Sequence, residues 1–518
     1  MFSSLGLRVQ GFRLRWLRWL RWLQSDAASP LEGATLGSMT HDAADSKETH
    51  STDTASIYSP EEATHYVTSR MDDVRSWLTE LVGCASVHDF AGLEEETTRA
   101  ANWVVDAFTA AGIPVEKHQT ADGSTAVIGV RQPSEGMPTV MLYSHYDVQP
   151  ATDTDAWDSD PWTLTERNGR WYGRGTADCK GNVVMHLAAL HGLKEWEELH
   201  PEAPKLGIRV VVEGSEERGG AGLDALLKER PELFSADDIL IADSGSDRVG
   251  EPALCTSLRG SAGVKVTLQT LEGPVHSGQF GGAAPDALLA MIHLLGTLHD
   301  DNGLLTVDGL DTSGHWDGNQ ADPENFRKDA SVLDGVELYG AAGTTHGDGP
   351  SVTDLTVAQP AITVTALDAV PTKDVINAVP ASCAAVLNLR VPSTMDPVKA
   401  QDTLVKHLEN HVPWGTHITI ERESIGEPFR ADTSGPLHAT LGQAMTDAFQ
   451  TDVVYNASGG SIPLCAGLLK ANPNAELALF GVEEPEARIH SANESVDPSE
   501  VKHFAIAELL FLARFGRD

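Results

Sequence analysis

The sequence predicts an α/β protein built on a mostly parallel sheet, with an α+β unit inserted into it. Four short apolar runs are β-branched or leucine-rich, as in strands that are buried on both faces: residues 139–143, 207–212, 239–242 and 476–480. Segments with helical periodicity accompany them, at residues 60–82, 93–111, 183–196 and 223–227. Between residues 256 and 429, alternating strands and one helical run replace this pattern, so the first unit is interrupted and resumes afterwards.

Composition excludes several classes of function. The 518 residues include 37 basic and 75 acidic side chains, a net charge of −38 that repels nucleic acids and anionic membranes. The five cysteines are scattered and form no CxxC pair, which predicts a reducing compartment and a cytoplasmic protein. No apolar run is long enough to span a membrane. We therefore expect neither a nucleic-acid nor a membrane partner.

The first 58 residues differ from the rest of the chain. In residues 13–23, which read RLRWLRWLRWL, arginines interrupt every apolar step, so the segment lacks the h-region of a signal peptide. The alternative is a cationic helix that lies on a membrane surface. We predict a disordered or mis-assigned extension over residues 1–58, with the folded part starting near Ser59, where Ser-Pro-Glu-Glu is typical of a helix start.

Polar side chains follow each of the four apolar runs. His145 and Asp147 come after the first run, Glu216 and Glu217 after the second, Asp243 after the third, and His490 after the fourth. Asp178 lies in a separate glycine-rich turn, Gly-Arg-Gly-Thr-Ala-Asp-Cys-Lys-Gly. Because open α/β sheets bind ligands at the carboxyl ends of their strands, we expect these side chains to lie together.

Histidines and carboxylates without thiolates suit a divalent metal ion. Asp147, two residues after His145 in an extended segment, is placed to orient the histidine. A shared carboxylate can bridge two metal ions about 3.5–4 Å apart, and an adjacent Glu-Glu pair can divide between ligation and proton transfer. Each feature alone is also compatible with a loop hydrogen bond, a solvated turn or a helix cap; their joint position favours the metal site.

Nine stretches resemble one known family in order and content: SHYDVQP (144–150), GRGTADCKGN (173–182), EGSEERGG (213–220), IADSG (241–245), HSGQFGG (276–282), NAVP (377–380), LNLR (387–390), GGSIP (459–463) and RIHSANE (488–494). The chain resembles the dinuclear zinc aminoacylase/carboxypeptidase superfamily, and within it the carnosinase-like cytosolic dipeptidases. The resemblance implies a zinc-peptidase catalytic domain formed by residues 59–255 and 430–518. It also implies a lid and dimerisation domain at residues 256–429.

The resemblance further implies a role for each matching residue. One metal ion would be held by His145, Asp178 and Asp243, and the other by Asp178, Glu217 and His490. Glu216 would be the general base and acid, Asp147 the orienter of His145, and His276 of the partner subunit the stabiliser of the oxyanion. The substrate would contact Arg390 through its free carboxylate, and also Asn377, Gly460 and Ser461. Zinc is the expected metal, with manganese and cobalt as alternatives, and the peptide bond after Asp178 is often cis in such proteins.

We therefore predict a homodimeric, metal-dependent dipeptidase acting on short peptides with a free C-terminal carboxylate. The alternative is an N-acyl amino acid deacylase of the same superfamily, and the third possibility is a non-catalytic metal-binding scaffold. Two features depart from the family: Cys179 stands where aspartate or asparagine is commoner, and residues 300–350 form a long polar stretch. A serine hydrolase and a P-loop nucleotide enzyme are disfavoured, because neither GxSxG nor GxxxxGK[ST] occurs.

Overall fold

The computed structural model describes residues 59–341 and 349–517. The predicted extension, residues 1–58, lies outside the described residues, as does part of the polar stretch 300–350. Within the described ranges, every helix is too short or too polar to serve as a membrane span.

The described chain contains both α-helices and β-strands. The α-helices are α1 (Pro60–Ser69), α2 (Met71–Val82), α3 (Glu94–Ala110), α4 (Lys180–Leu199), α5 (Ala221–Glu229), α6 (Ser277–Phe280), α7 (Ala287–Leu295), α8 (Pro323–Asp329), α9 (Pro397–Asn410), α10 (Pro436–Phe449), α11 (Pro463–Ala471) and α12 (Pro498–Arg514). The strands are β1 (Val115–Gln119), β2 (Thr125–Arg131), β3 (Thr139–His145), β4 (Thr165–Arg167), β5 (Arg170–Tyr172), β6 (Gly207–Glu213), β7 (Asp238–Ala242), β8 (Ala253–Leu258), β9 (Gly260–Gln269), β10 (Val275–His276), β11 (Ala361–Leu367), β12 (Ala378–Val379), β13 (Ser382–Val391), β14 (His417–Gly426), β15 (Phe429–Arg430), β16 (Val454–Ser458), β17 (Glu476–Phe480) and β18 (Ser495–Val496).

The largest sheet has nine strands in the order β1-β2-β6-β3-β7-β17-β8-β15, with β16 pairing with β8. Its four middle strands, β6, β3, β7 and β17, are parallel, and these are the four apolar runs of the sequence. At the margins, β1, β2 and β15 pair antiparallel with their neighbours. The predicted α/β fold with a mostly parallel central sheet is therefore confirmed, with antiparallel margins.

Both faces of this sheet are covered. Alternate residues of one strand point to opposite faces, so Val140 and Leu142 belong to one buried cluster and Met141 and Tyr143 to another. Helices α1–α4, α10 and α12 cover the first face, and α5 and α11 the second. Burial on both faces explains why these strands are almost entirely apolar.

Residues 256–429 contribute a second sheet. Its four strands are antiparallel in the order β11-β13-β9-β14, and helices α7 and α9 pack on it around a separate apolar cluster. The alternating strands expected in this region are present as these four strands. The division of the chain into a catalytic and a lid domain stays a prediction.

The periodic segment 60–82 forms two helices, α1 and α2, separated at Arg70. The hydroxyl of Ser69 donates a hydrogen bond to the Tyr66 carbonyl oxygen at 2.7 Å. A serine hydroxyl that binds a carbonyl oxygen of the preceding turn competes with the backbone hydrogen bonds of the helix. The hydrophobic periodicity continues through Arg70, so the sequence pattern could not reveal the break between the two helices.

Candidate active site

The first cluster forms where β3 and β7 end. Nε2 of His145, the last residue of β3, lies 3.0 Å from Oδ1 of Asp178 and 3.1 Å from Oδ1 of Asp243. His145 is buried, and Asp243 directly follows β7. The parallel pairing of these neighbouring strands brings together residues that are almost a hundred positions apart.

The second cluster shares Asp178 with the first. Its Oδ2 lies 2.9 Å from Nε2 of His490, which is also 3.1 Å from Oε2 of Glu217. The two carboxylate oxygens of Asp178 therefore face different histidines. The structure thus brings all five predicted metal ligands together as two groups that share one carboxylate, as a bridging ligand requires.

Asp147 joins the end of β3 to the Glu216–Glu217 turn. Its two carboxylate oxygens accept hydrogen bonds from the backbone N–H groups of Glu216 and Glu217, each at 3.1 Å. Nδ1 of His145 lies nearer to the Asp147 carbonyl oxygen, at 3.0 Å, than to its carboxylate, at 3.4 Å. The backbone of Asp147 therefore makes the closer contact with His145, and its side chain holds the glutamate turn.

The turn that carries Asp178 is held by a residue outside the predicted site. The buried Glu494 carboxylate accepts hydrogen bonds from the backbone N–H groups of Gly175, Ala177 and Asp178, at 3.0, 3.1 and 3.2 Å. It also pairs with Nη1 of Arg174 at 2.7 Å. The Asp178–Cys179 peptide bond is cis, as the resemblance implies. The available signal for Glu494 was its position at the end of RIHSANE, four residues after His490.

Burial and mutual repulsion shape the electrostatics of the carboxylates. Burial, reinforced by Asp243, raises the pKa of Glu216 well above its ordinary value. Burial also raises the pKa of Glu217, although the hydrogen bond to His490 opposes this shift. Burial works against ionisation of Asp178, but hydrogen bonds with both histidines outweigh it and lower its pKa. The site is therefore an environment that favours added positive charge.

Divalent metal ions fit this site. The ligand atoms of Asp178, Glu217 and His490 all lie within 4.8 Å of one another, and all are carboxylate oxygens or imidazole nitrogens. Sγ of Cys179 is close to His145 and Asp243, but its thiol donates to the Ala242 carbonyl oxygen at 3.1 Å. Burial raises the pKa of that thiol to about 12, which disfavours its ionisation in the metal-free chain. The donor set is thus one of imidazoles and carboxylates.

The guanidinium groups of Arg259 and Arg390 are neighbours, and that of Arg259 contacts the loop that contains Gly460 and Ser461. Buried Arg259 donates to the carbonyl oxygens of Gly459 and Leu355, both at 3.3 Å. Burial and the neighbouring charge of Arg390 lower the pKa of Arg259 to about 10. Among the described residues, no carboxylate forms an ion pair with either arginine, so both are available to an anion. Sequence reasoning missed Arg259; an arginine directly after the apolar strand β8 was the signal.

The remaining predicted residues lie in two places. The Gly460 N–H donates to the Ser458 hydroxyl at 3.1 Å, and the buried Ser461 hydroxyl has no hydrogen-bond partner in the described part of the chain. His276 and Asn377 are exposed neighbours, joined by the pairing of β10 with β12. No hydrogen bond or ion pair within the described ranges connects His276 to the metal-ligand clusters. Its predicted role in a partner subunit stays a prediction.

Comparison with known proteins identifies the family. A family model described as Peptidase family M20/M25/M40 matches residues 141–512. The chain belongs to this peptidase family. The M20 peptidase is 44% identical over 442 residues to the cysteinylglycine-S-conjugate dipeptidase of Corynebacterium striatum, covering 85% of this chain and 95% of that protein. It is also 37% identical over 180 residues to the Beta-Ala-His dipeptidase of Homo sapiens, 34% of each chain.

Solved structures share the fold of this M20 peptidase. Human carnosine dipeptidase 1 has a TM-score of 0.72 at 22% identity, covering 88% of this chain and 98% of that one. The metallo-carboxypeptidase Sso-CP2 from Sulfolobus solfataricus has a TM-score of 0.73 at 20% identity, covering 86% and 99%. The predicted superfamily and a hydrolytic metallopeptidase are confirmed, and the dipeptidase interpretation is supported over the deacylase alternative.

Proposed function

We propose that this M20 peptidase is a dipeptidase that cleaves short peptides with a free C-terminal carboxylate, using water activated at two divalent metal ions. The observation that carries the proposal is the position of Asp178 between the two histidine clusters. One relative, which matches 85% of the chain, is a dipeptidase named for S-conjugates of cysteinylglycine. Such conjugates are therefore the first substrates to test.

The two metal ions would be held by the two clusters already described. His145, Asp178 and Asp243 would hold one ion, and Asp178, Glu217 and His490 the other. When bound, the ions polarise the scissile carbonyl and lower the pKa of a water molecule to about 7. Zinc is the first choice, and manganese and cobalt suit the same ligands.

Glu216 would carry the proton. It adjoins Glu217, yet its carboxylate makes no hydrogen bond with any residue in the described ranges, so it is available to water. Burial raises its pKa, which brings its basicity towards that needed near neutral pH. Glu216 takes a proton from the attacking water and then delivers it to the leaving amine. Asp147 accepts a hydrogen bond from the Glu216 backbone. This bond holds Glu216 at a fixed position relative to the metal ligands.

Arg390 and Arg259 would bind the terminal carboxylate of the substrate. A planar guanidinium can donate two parallel hydrogen bonds to a carboxylate. Because this anchor binds a chain end, it selects short peptides over internal bonds of long chains. Asn377, Gly460 and Ser461 would complete the substrate contacts.

The homodimer is also a proposal, supported by exposed apolar side chains on the second sheet. They lie on its edge strand β11 and in the segment that leads from β11 to β12: Val364, Leu367, Val370, Val375 and Ile376. Val375 is 78% exposed. An edge strand with apolar neighbours is suited to cover another surface. The partner subunit would then bring its copy of His276 to the oxyanion.

A cytoplasmic location is supported by the five cysteines, all of which are unpaired.

The substrate class is tested by comparing free dipeptides with their N-acetylated counterparts. Cysteinylglycine, an S-conjugate of it and β-Ala-His are assayed before chelation, after chelation and after addition of Zn²⁺, Mn²⁺ or Co²⁺. We expect cleavage of the free dipeptides alone, lost on chelation and restored by metal. Cleavage of only the acetylated set would make the enzyme a deacylase, and no metal-dependent cleavage would leave a non-catalytic scaffold.

The dimer is tested separately by sedimentation of the wild-type protein and of Val375→Asp. We expect a dimer that the variant weakens, because a charge would be buried in the interface. A monomeric wild-type protein would contradict the proposal.

A further inference from the structure

We infer that Glu483 is an additional ligand of the metal ion held by His145, Asp178 and Asp243. This inference rests on the metal site of the proposed function. It concerns a residue outside the set that sequence reasoning assigned.

The backbone of Glu483 is fixed beside Asp243. Glu483 follows β17 and Asp243 follows β7, and these parallel strands are neighbours. Residue 483 forms a parallel bridge with Gly245, and its carbonyl oxygen accepts a hydrogen bond from the Ser246 N–H at 2.9 Å. A Cβ on Gly245 would lie 2.1 Å from that carbonyl oxygen, so only glycine permits this approach. The two strand ends are thus held together.

The side chain of Glu483 turns towards the same cluster. One of its carboxylate oxygens lies within 4.8 Å of oxygens of both Asp178 and Asp243. No residue in the described part of the chain donates a hydrogen bond to this carboxylate or forms an ion pair with it. The residue is half-buried, so solvent reaches only part of it.

The arginine that pairs with the Glu483 loop, and the two cationic residues that flank Asp178, are already engaged. Arg170 pairs with Glu484, the next residue, and Arg174 pairs with Glu494. The buried ammonium group of Lys180 donates to the carbonyl oxygen of Cys84 at 2.7 Å. These three groups therefore leave the Glu483 carboxylate open to a cation from outside the chain.

A divalent metal ion meets this need better than the ammonium group of a substrate. Three carboxylates converge here, and an ion with two charges offsets more of their repulsion than an ion with one. Two of the three are already expected to ligate the same ion. With Glu483, one ion has three carboxylates and one imidazole, against two carboxylates and one imidazole for the other. The oxygen-rich side favours Mn²⁺ more than the other side does.

The test measures metal binding directly, in the full-length protein. Glu483→Gln and Glu483→Ala are compared with wild type by titration calorimetry with Mn²⁺ and Zn²⁺ and by metal content after dialysis. We expect one of the two ions to bind 10- to 100-fold more weakly and the other to bind as before. Glu486→Gln is the matched control, because Glu486 is an exposed glutamate of the same loop.

Wild-type affinity for both ions in both variants would overturn the inference. If only KM for free dipeptides rises while metal binding is unchanged, Glu483 instead accepts the substrate's ammonium group, and the inference is also overturned. Neither result affects the proposed function, which fails only if the wild-type enzyme lacks metal-dependent dipeptidase activity. Thermal unfolding of the metal-free variants checks that both fold.

Discussion

Glu216 and Glu217 are adjacent in the chain, but their side chains have different surroundings. Oε2 of Glu217 lies 3.1 Å from His490 and accepts a hydrogen bond from the Gln149 side chain at 2.8 Å. The Glu216 carboxylate has no such partner in the described ranges, and Asp243 helps to raise its pKa. These different surroundings suit Glu217 to the role of a metal ligand and Glu216 to the role of a proton carrier.

Replacing Glu216 by glutamine should abolish turnover without releasing metal. General acid–base catalysis contributes about 10²–10⁴-fold, and glutamine cannot take the proton. We expect kcat to fall by at least the lower figure, with metal content, measured by mass spectrometry, equal to that of wild type. Glu217→Gln serves as the comparison, because it should lower metal content. Near-normal kcat in Glu216→Gln would remove this residue as the base.

Replacing Arg390 by lysine should raise KM more than it lowers kcat. Lysine keeps the charge but loses the planar, two-pronged geometry. A charged hydrogen bond contributes about 1.5–3 kcal/mol, so KM for a dipeptide should rise about 10- to 100-fold. Arg430→Lys, at an exposed arginine of β15, is the control. An unchanged KM in steady-state assays would contradict the carboxylate-binding role.

Most of the ligands that the sequence revealed lie close to an apolar run. Asp243 directly follows β7, His145 ends β3, and Glu217 comes four residues after β6, so strand periodicity locates them. Glu494 acts on a turn more than three hundred positions earlier. Arg259 depends similarly on partners about a hundred and two hundred positions away. No local pattern records such contacts.

At the scale of elements, the buried central strands were predictable and the buried last helix, α12, was not. The four central strands are short apolar runs, and their observed bounds differ from the predicted ones by few residues. Helix α12 buries twelve residues, including glutamates, so it lacks the single apolar stripe that identifies a surface helix. Its start was nevertheless visible: Asp497 precedes a proline, and its side chain accepts from the Ser499 N–H.

The turn at residues 173–178 depends on one buried ion pair. Glu494→Gln would leave Arg174 buried without its charge partner, which costs about 3–5 kcal/mol. We expect a lower free energy of unfolding in urea, measured with chelator present, and weaker metal binding because Asp178 is less well held. Glu486→Gln again provides an exposed control. Equal stability of Glu494→Gln and wild type would show that Glu494 does not support the turn.

At the scale of the whole molecule, the excess of acidic groups includes carboxylates that are buried outside the two ligand clusters. Glu500 on α12 is fully buried; its Oε1 accepts from the Gly250 N–H at 2.8 Å, and its Oε2 has no partner among the described residues. Burial raises its pKa to about 7. The folded state therefore holds this proton more tightly than the unfolded state does.

This shift makes stability depend on pH. Because the folded pKa is raised, the contribution of Glu500 is fully present below its ordinary pKa of 4.5 and is lost as pH rises through about 7. Glu500→Gln should remove this loss of stability at high pH, because glutamine does not ionise. At pH 8 the variant should be more stable than wild type by about 3 kcal/mol, and the difference should shrink towards pH 5. A difference in urea-unfolding free energy that is independent of pH would contradict the assignment.

The position of β17 has a consequence for biosynthesis. This strand, residues 476–480, lies between β7 and β8 in the middle of the large sheet, and His490 follows it. Until residues 476–480 leave the ribosome, the nascent protein has a gap where this strand belongs and two unpaired strand edges beside it. A message truncated before this point would yield an aggregation-prone fragment without a complete ligand set, so activity and the completion of synthesis are linked.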